Sequence, residues 1–91
     1  MEAVQELHAA GFEVYALEQV EGSVSLNDFV PENGKKYAIV LGNEVKGVAQ
    51  EVVDACDGAL EIPQFGTKHS LNVSVSGGIA IWHFAKSLLG L

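Results

Sequence analysis

A short apolar run that ends at a glycine constrains the fold of this chain more than any other sequence feature. Residues 38–41 read Ala-Ile-Val-Leu, they follow Tyr37, and Gly42 ends the run. An apolar run of this length is typical of a strand that is buried on both faces of a parallel sheet. Because parallel strands need crossover connections, which are usually helices, we expect the rest of the chain to alternate between strands and helices.

The segments on either side of this run show the expected alternation. Apolar residues recur at helical spacing over residues 2–10, 48–56 and about 72–89, whereas strand patterns cover residues 12–17, 37–41 and 59–62. Residues 21–36 are rich in turn-forming side chains and predict a loop, or short turns pinned by Leu26 and Phe29. The sequence therefore predicts an α/β fold in which helices flank a parallel sheet.

Size and composition exclude several classes of protein. A chain of 91 residues forms at most one domain with one modest core, and its 48% hydrophobic content excludes intrinsic disorder. The longest apolar stretch is far shorter than the roughly 18 residues of a membrane span, and no basic segment precedes an apolar run, so we expect a cytoplasmic protein. One cysteine and three scattered histidines predict no internal disulfide and no metal site.

The charge of the chain is unevenly distributed. Residues 1–34 carry seven acidic residues and no basic one, whereas residues 35–91 carry five acidic residues and five lysines. The chain has no arginine. On charge alone a nucleic-acid partner is disfavoured, because phosphate binding draws on clustered lysine and arginine.

Ligands of parallel sheets bind beyond the carboxyl ends of the strands, which places a site near three segments. These are residues 42–47, residues 63–70 and the start of the last helix. Gly42 permits close backbone approach, although a tight turn beside a solvated Glu44 is the simpler interpretation. At the start of the last helix, a helix N-cap is the default explanation for Ser70 or for Asn72.

Two adjacent glycines in the last helix need a reason of their own. Gly77 and Gly78 each cost about 1 kcal/mol relative to alanine in a helix interior. We therefore expect another part of the chain to approach this helix closely. That part is either the sheet or a backbone loop through which the helix passes.

Three segments in this order resemble the SpoU (TrmH-like) family of RNA ribose 2′-O-methyltransferases within the SPOUT superfamily. They are Ile39-Val40-Leu41-Gly42-Asn43-Glu44 with Gly47, Cys56-Asp57-Gly58 leading to Ile62-Pro63, and Ser70-Leu71-Asn72-Val73-Ser74. The resemblance covers residues 37–84. It implies that residues 1–91 are the C-terminal part of one methyltransferase domain, with a deep trefoil knot of a kind that is rare among proteins.

The same resemblance implies a cofactor, a set of site residues and partners. S-adenosylmethionine is the implied cofactor, rRNA or tRNA the implied substrate and a homodimer the implied assembly, with no metal ion. The implied cofactor contacts are Leu41, Gly42, Ile62, Leu71 and Asn72; the implied catalytic residues are Glu44 and Asn72; the implied substrate contacts are His69 and Ser74. His69 fits a solvent-facing loop residue equally well.

One departure from the family pattern limits what this chain is expected to do alone. The first motif of the family carries an arginine that is thought to help activate the ribose hydroxyl, and this chain has none. We therefore expect the 91 residues to lack methyltransferase activity by themselves. The alternative function is a non-catalytic nucleotide-binding or dimerisation module of an α/β protein.

Three further residues have structural interpretations. His8 lies on an acidic amphipathic helix and is predicted to be a surface residue. Cys56 ends an apolar helix face and is predicted to be a buried packing residue. Trp82 shares a helical stripe with Val75, Ile79 and Leu89, which predicts packing in the core or in a dimer.

Overall fold

The computed structural model describes residues 2–42, 46–62 and 73–90, which form three helices and four strands. The helices are α1 (Glu2–Ala9), α2 (Gln50–Ala55) and α3 (Val73–Leu88). The strands are β1 (Phe12–Leu17), β2 (Val24–Ser25), β3 (Lys36–Leu41) and β4 (Gly58–Glu61), and a 3₁₀ turn covers Leu26–Asp28. The predicted order of helices and strands is confirmed, with one short strand added inside residues 21–36.

The four strands form one parallel sheet in the order β2-β4-β1-β3. β1 pairs with β3 along its whole length, from Phe12 opposite Lys36 to Leu17 opposite Leu41. On its other side β1 pairs with β4, where Leu17 lies opposite Leu60. The register therefore aligns the carboxyl ends of β1, β3 and β4 at one edge of the sheet.

The prediction that residues 37–41 are buried on both faces is wrong. β3 is the outermost strand, its central residues are only half-buried, and Leu41 is 43% exposed. No strand among the described residues pairs with the outer edge of β3. An apolar run shows that its side chains can be buried, but the number of neighbouring strands determines how far they are buried.

The two faces of the sheet pack against different helices. Val14 and Ala16 are fully buried on the face that α1 covers, and Val4 of α1 is buried with them. The alternate residues of β1, Tyr15 and Leu17, lie on the opposite face. There they pack against a cluster of four buried residues from the 3₁₀ turn, β4 and α3, namely Leu26, Leu60, Ala80 and Phe84.

Leu26 and Phe29 pin residues 21–36, as the sequence predicts, and the structure shows that they do so against the sheet and α3. Leu26 is buried, and the Phe29 ring lies 4.9 Å from the Tyr15 ring and 5.5 Å from the Phe84 ring. His83 of α3 forms a 2.7 Å hydrogen bond through Nε2 with the carbonyl oxygen of Phe29. These contacts hold α3 against the face of the sheet opposite α1.

Ionisable side chains join the segments at the amino edge of the sheet. The Asp57 Oδ2 atom accepts a 2.7 Å hydrogen bond from the Val14 N–H and lies 2.8 Å from His8 Nε2. The hydrogen bond from Val14 lowers the pKa of Asp57, and the contact with His8 adds to this effect. His8 is thus an exposed residue, as predicted, but it also links α1 to the segment before β4.

Helix α2 is shorter at its amino end than predicted. It begins at Gln50 rather than at residue 48, because Gly47 has φ +68° and the non-helical Ala49 is the N-cap. The neighbouring Cys56 is half-buried, and burial raises the pKa of its thiol. A thiol with a raised pKa is a poor nucleophile at neutral pH, in agreement with a packing role.

Candidate functional site

The carboxyl edge of the sheet brings together residues that are distant in the sequence. Leu41 ends β3, Ile62 directly follows β4 and Glu18 directly follows β1. The alignment of Leu17 with Leu41 and with Leu60 puts these three positions at the same edge. The structure thus places the predicted residues Leu41, Gly42 and Ile62 where parallel sheets bind ligands.

Gly42 packs against the backbone of Gly47 and Val48, which we call the returning arm of the turn that begins at Gly42. A Cβ atom added to Gly42 would collide with the carbonyl carbon of Gly47 and would lie 2.8 Å from the Gly47 Cα. Backbone atoms cannot move aside as a flexible side chain can. The structure thus supports the simpler interpretation of Gly42 as part of a tight turn, whereas the approach of a ligand to its backbone stays a prediction.

The returning arm is held by a carboxylate that sequence reasoning did not single out. The Glu18 Oε2 atom accepts a 2.7 Å hydrogen bond from the Val48 N–H, and the Glu18 N–H donates to the Leu60 carbonyl oxygen at 3.0 Å. Its position directly after a buried strand was the available signal, because that is where polar site residues of parallel sheets occur. Its partner lies thirty residues away, so local sequence pattern does not reveal the contact.

The two glycines of α3 have different surroundings. Gly77 is buried, and a Cβ atom there would lie 3.0 Å from the Leu41 Cδ1 atom. The close helix-to-sheet contact is therefore confirmed at Gly77. Gly78 is exposed, and no heavy atom of the described neighbours would lie within 4 Å of its Cβ, so crowding at Gly78 is not found among them.

An apolar groove separates α3 from β3 beside the candidate site. Three alternate residues of β3 form one wall and five residues of α3 form the other. The lining residues are Tyr37, Ile39, Leu41, Gly77, Ile81, Phe84, Ala85 and Leu88. The groove lies along the outermost strand of the sheet, so it is open on the side where β3 has no described neighbour.

Several predicted site residues lie outside the described residues. These are Glu44, His69, Leu71 and Asn72. Ser74 lies in the first turn of α3, although the description does not extend to its side chain. Their roles stay predictions, and so does the knot, which depends on the path of residues 63–72.

Within residues 2–42, 46–62 and 73–90, no three histidine, cysteine, aspartate or glutamate side chains are grouped to hold a metal ion. None of the helices in these ranges has the length and apolarity to cross a membrane.

Trp82 is 58% exposed on α3, so the prediction that it packs in the core of this chain is wrong. Its packing in a dimer stays a prediction.

Comparison with known proteins connects the chain with RNA-modifying enzymes. The model of the SpoU rRNA methylase family matches residues 1–82. The chain is 37% identical over 90 residues to the tRNA (guanosine(18)-2′-O)-methyltransferase TARBP1 of Mus musculus, covering 98% of this chain and 6% of that protein. It is 33% identical over 88 residues to the tRNA (guanosine(18)-2′-O)-methyltransferase of Thermus thermophilus, covering 97% of this chain and 44% of that enzyme.

Solved structures show the same fold. The TrmH/SpoU tRNA modifying enzyme of A. aeolicus superposes with a TM-score of 0.77 at 33% identity, over 90% of this chain and 41% of that one. An AdoMet-bound rRNA methyltransferase from Sinorhizobium meliloti superposes with a TM-score of 0.82 at 27% identity, over 93% of this chain and 32% of that one. The chain thus spans less than half the length of each of these relatives. Because the family model and the sheet architecture agree over nearly the whole chain, the chain belongs to the SpoU rRNA methylase family.

Proposed function

We propose that this chain is the cofactor-binding part of an S-adenosylmethionine-dependent RNA ribose 2′-O-methyltransferase. The observation that carries the proposal is the convergence of Leu41, Gly42 and Ile62 at the carboxyl edge of the sheet, in a chain of the SpoU family. The AdoMet-bound state of one structural neighbour supports the choice of cofactor. Relatives that modify tRNA and rRNA support an RNA substrate.

The described residues suit a nucleoside-containing cofactor. Leu41 and the half-buried Ile62 offer apolar surface against which an adenine ring packs. Gly47 and Val48 cover Gly42 on one side only, since Gly42 is half-buried, and we propose that its accessible peptide groups form main-chain hydrogen bonds with the ligand. We propose that Leu71 and Asn72 complete this binding surface from the segment before α3.

S-adenosylmethionine, when bound, supplies an electrophilic methyl group on a sulfonium sulfur. The ribose 2′-oxygen would accept this methyl group, S-adenosylhomocysteine would be the leaving product, and the hydroxyl proton would pass to a base of the site. A ribose hydroxyl is a weak nucleophile, so the site needs a group that receives this proton or stabilises the developing alkoxide. We propose Glu44 and Asn72 for this role, with His69 and Ser74 contacting the RNA.

We propose that residues 1–91 are the C-terminal part of a single SpoU-type domain in a longer enzyme. The outer edge of β3 and the apolar groove beside it support this proposal, because both suit an additional strand from the rest of the domain. The net charge of −7 and the lack of arginine indicate that RNA-binding cations come from elsewhere in that enzyme or from its dimer partner. The chain alone is therefore proposed to be inactive.

We also propose that the enzyme is a homodimer that buries the outer surface of α3. Four large apolar residues are exposed on this helix, namely Val75, Ile79, Ile81 and Trp82, and the exposed Leu89 directly follows it. A helix that is apolar on more than one side is usually covered on more than one side. A sedimentation experiment at micromolar concentration should show a dimer, and a monomer would contradict this part of the proposal.

The central test uses the longer enzyme that carries this chain. Calorimetry should detect binding of S-adenosylhomocysteine, and labelled methyl from S-adenosylmethionine should enter RNA at a ribose that then resists alkaline cleavage. The 91-residue chain, assayed in parallel, should transfer no label. A longer enzyme that binds no cofactor would overturn the proposal, whereas binding without transfer to any RNA would favour the alternative of a nucleotide-binding module.

A further inference from the structure

We infer that Glu18 is a positioning residue for the cofactor site: its carboxylate fixes the arm of the turn against which Gly42 packs. The inference rests on the proposed function and adds a residue from β1 to it. Glu18 does not need to touch the cofactor or the ribose. It acts through Gly47 and Val48, which are the residues that it contacts directly.

The Glu18 carboxylate contacts the returning arm directly. Glu18 Oε2 accepts the Val48 N–H at 2.7 Å, and the side chain is half-buried. A hydrogen bond from a backbone N–H to a carboxylate is stronger than one between neutral groups. The bond therefore ties the start of the α2 segment to the end of β1, across thirty residues of sequence.

The Glu18 carboxylate also fits closely against Gly47. Gly47 has φ +68°, a conformation that other residues adopt at a cost. A Cβ atom at this position would collide with Glu18 Oε2 and would lie 3.1 Å from the Glu18 Cδ atom. The glycine thus satisfies the turn geometry and leaves the space that the carboxylate occupies.

The arm that Glu18 contacts also packs on Gly42. The backbone of Gly47 and Val48 occupies the space directly over the Gly42 Cα, so the two arms of the turn touch. Glu18 is in turn fixed by its own N–H, which donates to the Leu60 carbonyl oxygen at 3.0 Å. Through this chain of contacts, β1 and β4 determine where the Gly42 peptide lies at the carboxyl edge.

Three substitutions at Glu18 in the longer enzyme separate these effects. Glu18→Asp keeps the charge but shortens the side chain, Glu18→Gln keeps an acceptor oxygen without the charge, and Glu18→Ala removes both. Glu21→Ala is the matched control, because Glu21 is an exposed glutamate three residues further along. S-adenosylhomocysteine affinity, kinetic constants and the melting temperature without ligand are measured for each.

The expected order follows from hydrogen-bond strength. Glu18→Ala and Glu18→Asp should weaken S-adenosylhomocysteine binding about 10- to 100-fold, and Glu18→Gln about 3- to 10-fold. The KM for S-adenosylmethionine should rise by similar factors, while kcat at saturating cofactor stays within about twofold, since the lost interaction concerns binding. Glu21→Ala should behave as the unchanged enzyme.

An amide measurement provides a readout that does not depend on the cofactor. Hydrogen exchange at the Val48 N–H should accelerate in Glu18→Asp and Glu18→Ala, whereas the Val53 N–H, bonded to the Ala49 carbonyl oxygen at 3.0 Å, should keep its protection. If Glu18→Ala does not fold, Glu18→Asp decides the question.

The outcomes separate this inference from the proposed function. Unchanged cofactor affinity in Glu18→Asp, while the original enzyme binds S-adenosylhomocysteine, would overturn the inference and leave the proposed function standing. Faster exchange at Val48 without weaker binding would equally overturn it, because the bond would then be purely structural. Absence of binding in the original enzyme would overturn the proposed function and the inference that rests on it.

Discussion

The two edges of the sheet are built from different kinds of contact. At the amino edge, charged side chains join neighbouring segments: Lys35 Nζ lies 2.8 Å from Glu13 and 3.0 Å from Glu32, and Asp57 joins β1 to His8. At the carboxyl edge, glycines let backbone pack on backbone, and Glu18 holds the turn. The difference indicates that charge pairs stabilise the amino edge, and it agrees with the proposal that the carboxyl edge forms the binding surface.

The amino-edge network also shows how its charges are held. The Lys35 ammonium and the Tyr15 hydroxyl both contact the Glu13 carboxylate, and the hydrogen bond from Lys35 is the main cause that lowers the pKa of Glu13. Burial raises the pKa of Tyr15 in the opposite sense, since it disfavours the phenolate. These groups keep one protonation state near neutral pH, which suits a structural role.

The largest predicted effect tests the carboxyl edge through Gly42. Gly42→Val places a branched side chain against the Gly47 backbone, so we expect S-adenosylhomocysteine binding by the longer enzyme to be lost. Because backbone must move, we also expect about 3 kcal/mol of destabilisation, as in severe overpacking. Calorimetry measures the binding and denaturant unfolding measures the stability. Wild-type affinity in this variant would remove Gly42 from the site.

The next effect tests the amino edge through Asp57. Asp57→Asn removes the negative charge of the carboxylate whose oxygen accepts the hydrogen bond from the Val14 N–H. We expect about 1 kcal/mol of destabilisation with unchanged cofactor affinity. Unfolding in urea and calorimetry with S-adenosylhomocysteine measure the two quantities. If Asp57→Asn weakened S-adenosylhomocysteine binding as much as Glu18→Asp is expected to, the amino edge would not have a purely structural role.

The pH dependence of the same pair sharpens this test. Folding lowers the pKa of Asp57 below its ordinary value of 3.8, so its contribution to stability is present above that value and is lost as the pH falls through the lower folded value. The stability difference between the original protein and Asp57→Asn should therefore shrink as the pH falls below about pH 4. Because the Asp57 side chain is 39% exposed, water screens it and the change is small.

The smallest effect compares two adjacent glycines of α3. Gly78→Ala adds a methyl group that no described neighbour approaches within 4 Å, and it should stabilise the protein by about 0.5–1 kcal/mol through helix propensity. Gly77→Ala gains the same propensity but pushes the Leu41 side chain, 3.0 Å away, so its net effect should be near zero or destabilising. Thermal unfolding measures both. Equal stabilisation by the two substitutions would show that Leu41 yields freely.

The sequence predicts the path of the backbone better than it predicts burial. The alternation over residues 12–17 gives the observed bounds of β1, and the periodicity over residues 2–10 gives those of α1 to within one residue. The burial of β3 was wrong because it depends on a neighbouring strand and not on the local pattern. Which of Gly77 and Gly78 faces the sheet depends on the rotation of α3, which no local rule determines.

The candidate site divides in the same way. Leu41, Gly42 and Ile62 could be assigned from a family resemblance together with the rule for strand ends. Glu18 also follows a strand end, but the rule alone does not single it out, because its contact with Val48 exists only after the sheet has formed. A carboxylate in an acidic segment has the sequence signature of an ordinary solvated charge, so geometry had to distinguish it.

The strand order β2-β4-β1-β3 also determines when the sheet can form as the polypeptide is synthesised. β1 is a central strand, but it is made before both of its partners, and Tyr15 must wait for Gly58. Until β3 is made, Val14 and Ala16, which the finished protein buries completely, have no partner strand on either side, and until β4 is made they have one on one side only. Such non-local parallel pairing slows folding, and an apolar segment that lacks its partner strands, as β1 does during synthesis, is the kind of segment that chaperones protect on the ribosome.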